Sequence, residues 1–214
     1  MTARIDAPIE SLPHMCDKSL WGDIWFYRDE CRYLKEAWVE APIGFKPESL
    51  IDNENDDIFL RAEGKFSIPE SFYLAPADDP TEYAAFRHFN AVDATICFNQ
   101  LAYVLCLEGC PHGLIPLWRF GVDPESMKCR KVAVNMMIAK LNTTFVRPIQ
   151  PMDFNGWIAI NKLYEKNGMP FMEMEFQFEG EGAGLAVGEC RGVIFVQNFC
   201  DDPGHPHDCE KHED

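Results

Sequence analysis

R-H-F-N-A-V-D-A-T-I-C-F-N-Q-L-A-Y-V-L-C, residues 87–106, is the stretch whose reading decides the fold. Its first residues are small and polar. After them apolar side chains fall on nearly every side, interrupted by Asp93, Asn99 and Gln100. A helix that is hydrophobic all round is a buried helix. At about 1.5 Å per residue it spans roughly 25–30 Å, about the width of a small domain. Strand-like sequence flanks it on both sides, so the expected picture is one sheet wrapped around one central helix over about 91–107.

Upstream, Arg32 to Ala41 mixes aromatic and β-branched residues and reads as a strand, as does Ile58 to Ile68. Between them, Pro42 to Asp57 holds two prolines and a D-N-E-N-D-D run, the signature of a solvated loop. Pro69 to Phe86 is a long connection rich in Pro, Asp and aromatics, which carries Tyr73 and leads to His88 at the helix start. Loops longer than about 12–15 residues are uncommon and often functional. Downstream, Gly109 to Arg130 is irregular, and four β-like segments follow: Val132 to Val146, Asn155 to Glu165, Pro170 to Glu179 and Leu185 to Gln197. K-N-G-M-P and E-G-E-G-A-G between them read as turns.

Two strands, a buried helix and a run of antiparallel strands make an α+β fold. With the sheet curled round the helix, the arrangement is a single hot-dog domain over 17–200. Residues 1–16 read as a flexible N-terminal arm, with helical spacing following over Asp17 to Tyr27, and 201–214 as a polar tail. One such domain leaves a sheet edge and part of its helix uncovered, so a homodimer or higher homo-oligomer is expected.

The chain has 214 residues, enough to bury a core without staples, and 47% of them are hydrophobic. A formal net charge of −16 argues against nucleic acid and anionic membrane, which need clustered Lys and Arg. Nine cysteines at irregular spacing, with no secretory leader near Met1, read as reduced thiols in the cytoplasm. Cys97 and Cys106 within the apolar helix read as small buried hydrophobes. No apolar run reaches the 18–20 residues or so of a membrane span.

The polar residues in and near the helix each read two ways. Asn90 and Asp93 stand at i and i+3 where it starts. As caps, Asn90 accepts from the backbone N–H of Asp93, and Asp93 offsets the positive helix end. The free N–H groups there also polarise a carbonyl oxygen as charge develops on it, and a thioester carbonyl is a natural guest. Gln100 lies about 20° around the helix from Asp93, and Asn99 about 120° away on the other side. Buried amides satisfy backbone groups of a neighbouring strand or serve a site. His88 is an acid or base near neutral pH, or a turn residue. Tyr73 is amphipathic packing or a donor to substrate. The tail's H-P-H-D-C-E-K-H, residues 205–212, holds metal-binding side chain types, but nothing apolar nearby orders a site, so no metal is expected. G-x-S-x-G, G-x-x-x-x-G-K, G-x-G-x-x-G after a strand and H-E-x-x-H are all absent. Catalysis with this polar set rests on hydrogen bonds and positioning, with no cofactor called for.

H-F-N-A-V-D-A-T-I-C-F-N-Q-L-A-Y at 88–103 resembles the signature of the FcoT-like hot-dog family. F-S-I-P-E-S-F-Y at 66–73 resembles the strand and turn that lead into it. Tyr27, C-R-Y-L at 31–34, M-M-I-A-K from 136 and R-P-I-Q-P to 151 extend the likeness over roughly 25–197. The resemblance implies an oligomer acting on acyl thioesters of coenzyme A or of an acyl carrier protein. Its polar site positions fall on Tyr73, Asn90 and Asn99, with Tyr27 beside them.

Two activities occur in the family: hydrolysis of long-chain acyl-CoA, and addition of glycine to a (2E)-enoyl thioester on an acyl carrier protein in β-amino-acid or isonitrile natural-product biosynthesis. Hydrolysis needs a base to activate water, a task open to Asp93 or His88. Addition asks less, because free glycine brings its own nucleophile and the thioester oxygen needs only stabilisation as an enolate. Asn90, the helix N–H groups and Tyr73 suit that task. Arg147 and Lys140, on the first strand after the helix, are the cations available for the glycine carboxylate. Addition of glycine is therefore the favoured reading and hydrolysis the alternative. A non-catalytic acyl-binding hot-dog is a third reading. Dehydration is a fourth, weakened because the P-G that follows H-F in hot-dog dehydratases is missing here.

Overall fold

The structure, a computed structural model, describes residues 9–11, 27–68, 88–122 and 136–194. The regular elements are β1 (Ile9–Ser11), β2 (Leu34–Pro42), β3 (Leu60–Phe66), α1 (Ala91–Gly109), β4 (Met136–Arg147), β5 (Phe154–Lys166), β6 (Met169–Gly180) and β7 (Gly184–Ile194). The strands form one sheet in the order β1-β2-β3-β5-β6-β7-β4, with antiparallel neighbours throughout. The order of elements expected from sequence is therefore present: strands, one buried helix, then four strands. β1 is an addition, because it lies in the stretch read as a flexible arm and pairs with the end of β2.

The sheet's inner face is set by period-two alternation. β6 reads intermediate–buried along its length, with Met172, Met174, Phe176 and Phe178 turned inward and Glu173, Glu175 and Gln177 outward. On β3 the inner face is Leu60, Ala62, Gly64 and Phe66. Gly64 lets α1 approach closely: a Cβ there would meet Leu34 Cδ1 at 2.6 Å and Leu101 Cδ1 at 3.2 Å. Eleven residues of α1, from Asp93 to Gly109, are buried. Leu101 packs on the β2–β3 side and Phe98 meets the Phe176 ring of β6 at a tilt, ring centroids 5.0 Å apart. One helix thus touches both halves of the sheet. Each large apolar side chain buried in this way contributes about 1.5–3 kcal/mol.

Below the helix start, Phe89 lies 4.9 Å from Phe154 and 5.2 Å from Phe178, with Phe66 stacked on Phe154 at 5.3 Å. This aromatic cluster anchors the chain where it enters α1. The β5–β6 hairpin turns on Asn167 and Gly168, both at positive φ (54° and 75°), as a two-residue turn requires.

The 42–57 connection departs from a purely solvated loop. Its acidic run is exposed, but Leu50 is fully buried, Ile51 forms a parallel bridge to Leu163, and Asn53 Nδ2 donates to the carbonyls of Ile58 and Asn161. The loop is pinned to β5 because a buried leucine sits among its polar residues. Among the described residues, no helix is long and apolar enough to cross a membrane.

Candidate active site

α1 begins at Asn90, whose extended backbone (φ −128°, ψ −175°) leaves its side chain free to cap. Asn90 Oδ1 accepts from Val92 N at 2.9 Å and Asp93 N at 3.4 Å, and Asp93 Oδ2 accepts in return from Asn90 N at 3.3 Å. This reciprocal capping box is the structural reading of the pair. Asp93 is fully buried, so the carboxylate considered for substrate binding or for base work faces the interior at the cap.

About two turns beyond Asp93, the two adjacent amides part company. Gln100 is fully buried, and its Oε1 accepts from Tyr33 N at 3.1 Å and Leu34 N at 2.9 Å while Nε2 donates to Cys31 O at 2.5 Å. It staples the lead-in of β2 to the helix. Asn99 faces the other way and lines a groove with Phe98, Ala102 and Tyr103 of α1. The opposite wall is Met136, Met137 and Ile138 of β4, Met172 and Met174 of β6, and Gly192 and Val193 of β7. The groove holds about 320 Å³ of empty space, counting its open mouth. Its lining is apolar apart from Asn99 and the Tyr103 hydroxyl, and four of its side chains are methionines that adapt to an irregular guest.

Burial pushes the Tyr103 hydroxyl above the usual tyrosine range, with a further push from Cys106. Tyr27 is pushed up more strongly, by burial first and then by Tyr103, Cys97 and Cys31. Both hydroxyls stay neutral and able to donate at ordinary pH. Tyr27 and Tyr103 are close enough to influence each other, and Tyr103 shares the groove with Asn99, so Tyr103 links two of the sequence candidates. The buried thiols among the described residues are held back as nucleophiles. Burial holds Cys97 well above the ordinary thiol value, with Asp93 adding to it, and raises Cys106 and Cys190 to about 12.

The remaining candidates do not converge on the groove in one chain. Asn90 lies about 13 Å from Asn99 along the helix axis and about 180° around it. His88 is exposed, as are Lys140 and Arg147 on β4, and none of the three lines the groove. Tyr73 lies outside the described residues. Tyr103 and the methionine wall were not singled out from sequence, although signals exist: Tyr103 follows Asn99 by four residues, the helical spacing for one face, and Met172 and Met174 share a face of β6 at period two.

An antiparallel sheet curled round one buried helix, with an apolar groove edged by neutral donors, is a hot-dog domain of the α+β class. Residues 24–194 match the model of the FcoT-like thioesterase domain, and the chain belongs to that family. A (2E)-enoyl-ACP glycyltransferase from Streptomyces coeruleorubidus is 27% identical over 185 residues, which span 82% of this chain and 94% of that protein. The protein of the same name from Mycobacterium marinum is 32% identical over 133 residues, 62% of this chain and 59% of that one. Its Mycobacterium tuberculosis counterpart is 28% identical over 166 residues, 74% and 75% of the two chains. A solved thioesterase from Haemophilus influenzae is similar at a TM-score of 0.35 and 10% identity, over 66% of this chain and 76% of that one.

Proposed function

We propose that this protein is an enzyme that adds glycine to the β-carbon of a (2E)-enoyl thioester carried on an acyl carrier protein. The observation that carries the reading is the groove: an apolar, methionine-lined channel whose polar groups are neutral donors, in a chain related along most of its length to (2E)-enoyl-ACP glycyltransferases. Among the described residues lining it there is no carboxylate, imidazole or activated thiol to drive a water onto the carbonyl.

Addition does not need one. The glycine amine attacks the β-carbon, the π electrons move through the α-carbon onto the thioester oxygen, and donors aimed at that oxygen stabilise the enolate. The amine then loses a proton and the α-carbon gains one, leaving an N-carboxymethyl-3-aminoacyl thioester with its carrier bond intact. Asn99 and Tyr103 are the donors nearest the apolar wall. Asn90, Tyr73 and Tyr27 are further candidates for the same oxygen or for the glycine carboxylate, with Lys140 and Arg147 as the cations. The functional unit is a pair of chains: β4 ends the sheet formed by the described residues and carries exposed Met137, Ile138, Phe145 and Val146, and a second copy laid along it brings a second set of these groups near each groove.

The experiment is incubation with an enoyl-carrier thioester, with and without glycine, followed by intact mass of the carrier. A gain equal to one glycine, with the thioester retained and dependent on glycine, supports addition. Release of free acid regardless of glycine supports hydrolysis, the activity named in the family's description, and sinks the proposal.

A further inference from the structure

The glycines on the inner face of the sheet are not equivalent. A Cβ at Gly156 would lie 2.4 Å from the Phe178 ring, and one at Gly188 would lie 2.2 Å from both the Asn142 carbonyl oxygen and the Phe176 ring. In both places a rigid ring or backbone group takes the room the side chain would need, and the glycine serves packing. At Gly192 the nearest atoms are the terminal methyls of Met174 at 2.8 Å and Met172 at 3.3 Å. Those methyls are the far ends of unbranched chains with three rotatable bonds each. Gly192, Met172 and Met174 also line the groove, whereas Gly156 and Gly188 do not.

Exposure gives the groove a direction. Met137 and Ile138 are 54% and 37% exposed, while Met172 and Met174 are 0% and 4% exposed. The mouth is therefore beside β4, the polar edge at Asn99 and Tyr103 is half-buried, and the closed end is formed by thioether methyls resting over a bare Cα.

We propose that Met172 and Met174, seated over Gly192, form the inner stop of the groove and set the longest acyl tail the protein accepts. This rests on reading the groove as the acyl site. Because Gly192 has no Cβ, the methyls sit back and leave the groove at its full depth. A Cβ there pushes them forward into the path of the tail. The stop presents carbon and sulfur, so the class of tail that fits is linear and unsubstituted, and a hydroxyl carried to that depth has no partner among the described lining residues.

The test uses S-alkyl pantetheine thioethers with hexyl, decyl and tetradecyl chains, which neither accept glycine nor hydrolyse, titrated into the full-length protein by calorimetry with melting temperatures recorded in parallel. Gly192→Ala is expected to weaken the longest thioether that the parent binds by about tenfold or more, and hexyl by no more than about twofold. Met174→Ala is expected to shift the preference the other way, towards tetradecyl. Equal losses at every length, or no change at any, in folded variants overturns the inference and leaves the acyl reading standing. Should Gly192→Ala fail to fold, Met174→Ala decides, and its failure to favour the longer chain overturns the inference. If the parent binds no thioether of any length, the acyl reading itself fails, whatever the variants do.

Discussion

Asn99 and Gln100 carry nearly the same functional group one residue apart, and a helix points them about 100° from each other. That rotation puts Gln100 against three backbone groups of the 31–34 segment and Asn99 in the groove. Replacing Gln100 with Leu strands the buried Tyr33 N and Leu34 N and removes the donor to the part-buried Cys31 O, at about 1–3 kcal/mol for each buried group that finds no new partner. A loss of about 3 kcal/mol and a melting temperature lower by roughly 10 °C are expected. Asn99→Ala removes a half-buried amide with no such obligations. It is expected to change stability by less than about 1 kcal/mol while lowering kcat/KM for the enoyl thioester by about tenfold or more. Thermal melts and steady-state kinetics on the two variants check both halves, and an Asn99→Ala enzyme of full activity would remove Asn99 from the site. From sequence the two amides carry the same pair of readings. Only the neighbouring strand, hidden in a linear chain, separates them.

At the scale of the element, α1 was legible because its signals agree: all-round apolarity over 91–107 and an Asn-x-x-Asp start. The capping box confirms the start at Asn90, and the helix runs two residues beyond the expected end, to Gly109. The strand segments were legible through their aromatic and β-branched residues and the turns between them, and the ends that fall on described residues lie within a few residues of the expected ones, while 132–135 and 195–197 lie outside the described residues. The groove was not legible, because its wall is assembled from residues on α1, β4, β6 and β7 that are far apart in the chain. The cap makes Asn90 a case where structure and chemistry are separable by one atom. Asn90→Asp keeps an oxygen to accept from Val92 N and Asp93 N, whereas Asn90→Ala removes it at a cost of about 1 kcal/mol. If Asn90 also donates through its amide nitrogen to substrate, Asn90→Asp is expected to melt within about 2 °C of the parent yet lose at least about tenfold in kcat/KM. An Asn90→Asp enzyme with parental kinetics would leave Asn90 a cap and nothing more. Thermal melts and steady-state rates measured side by side decide it.

For the molecule as a whole, the decisive surface is the outer edge of β4. Among the described residues its neighbour in the sheet is β7, and no other described strand meets the backbone N–H and C=O groups along its other edge. Natural edges are protected by charge, proline or short length. β4 is twelve residues long, lacks proline, and exposes Phe145 at 42% and Val146 at 52%. Its charged residues are Lys140 and Arg147, with no acid, so none of the acidic charge behind the chain's net −16 lies on this strand to repel a second copy. Antiparallel pairing of two β4 edges continues the sheet and covers the apolar residues. Putting acid into the edge opposes that pairing twice, by like-charge repulsion across the seam and by lost apolar contact. A Thr144→Glu, Val146→Glu double variant, both positions exposed in the single chain, is expected to sediment with the mass of one chain where the parent sediments as two. Added salt screens the repulsion between two acidic chains and is expected to tighten the parent dimer. A parent that sediments as one chain at micromolar concentration, or a double variant that still sediments as two, would move the interface away from β4.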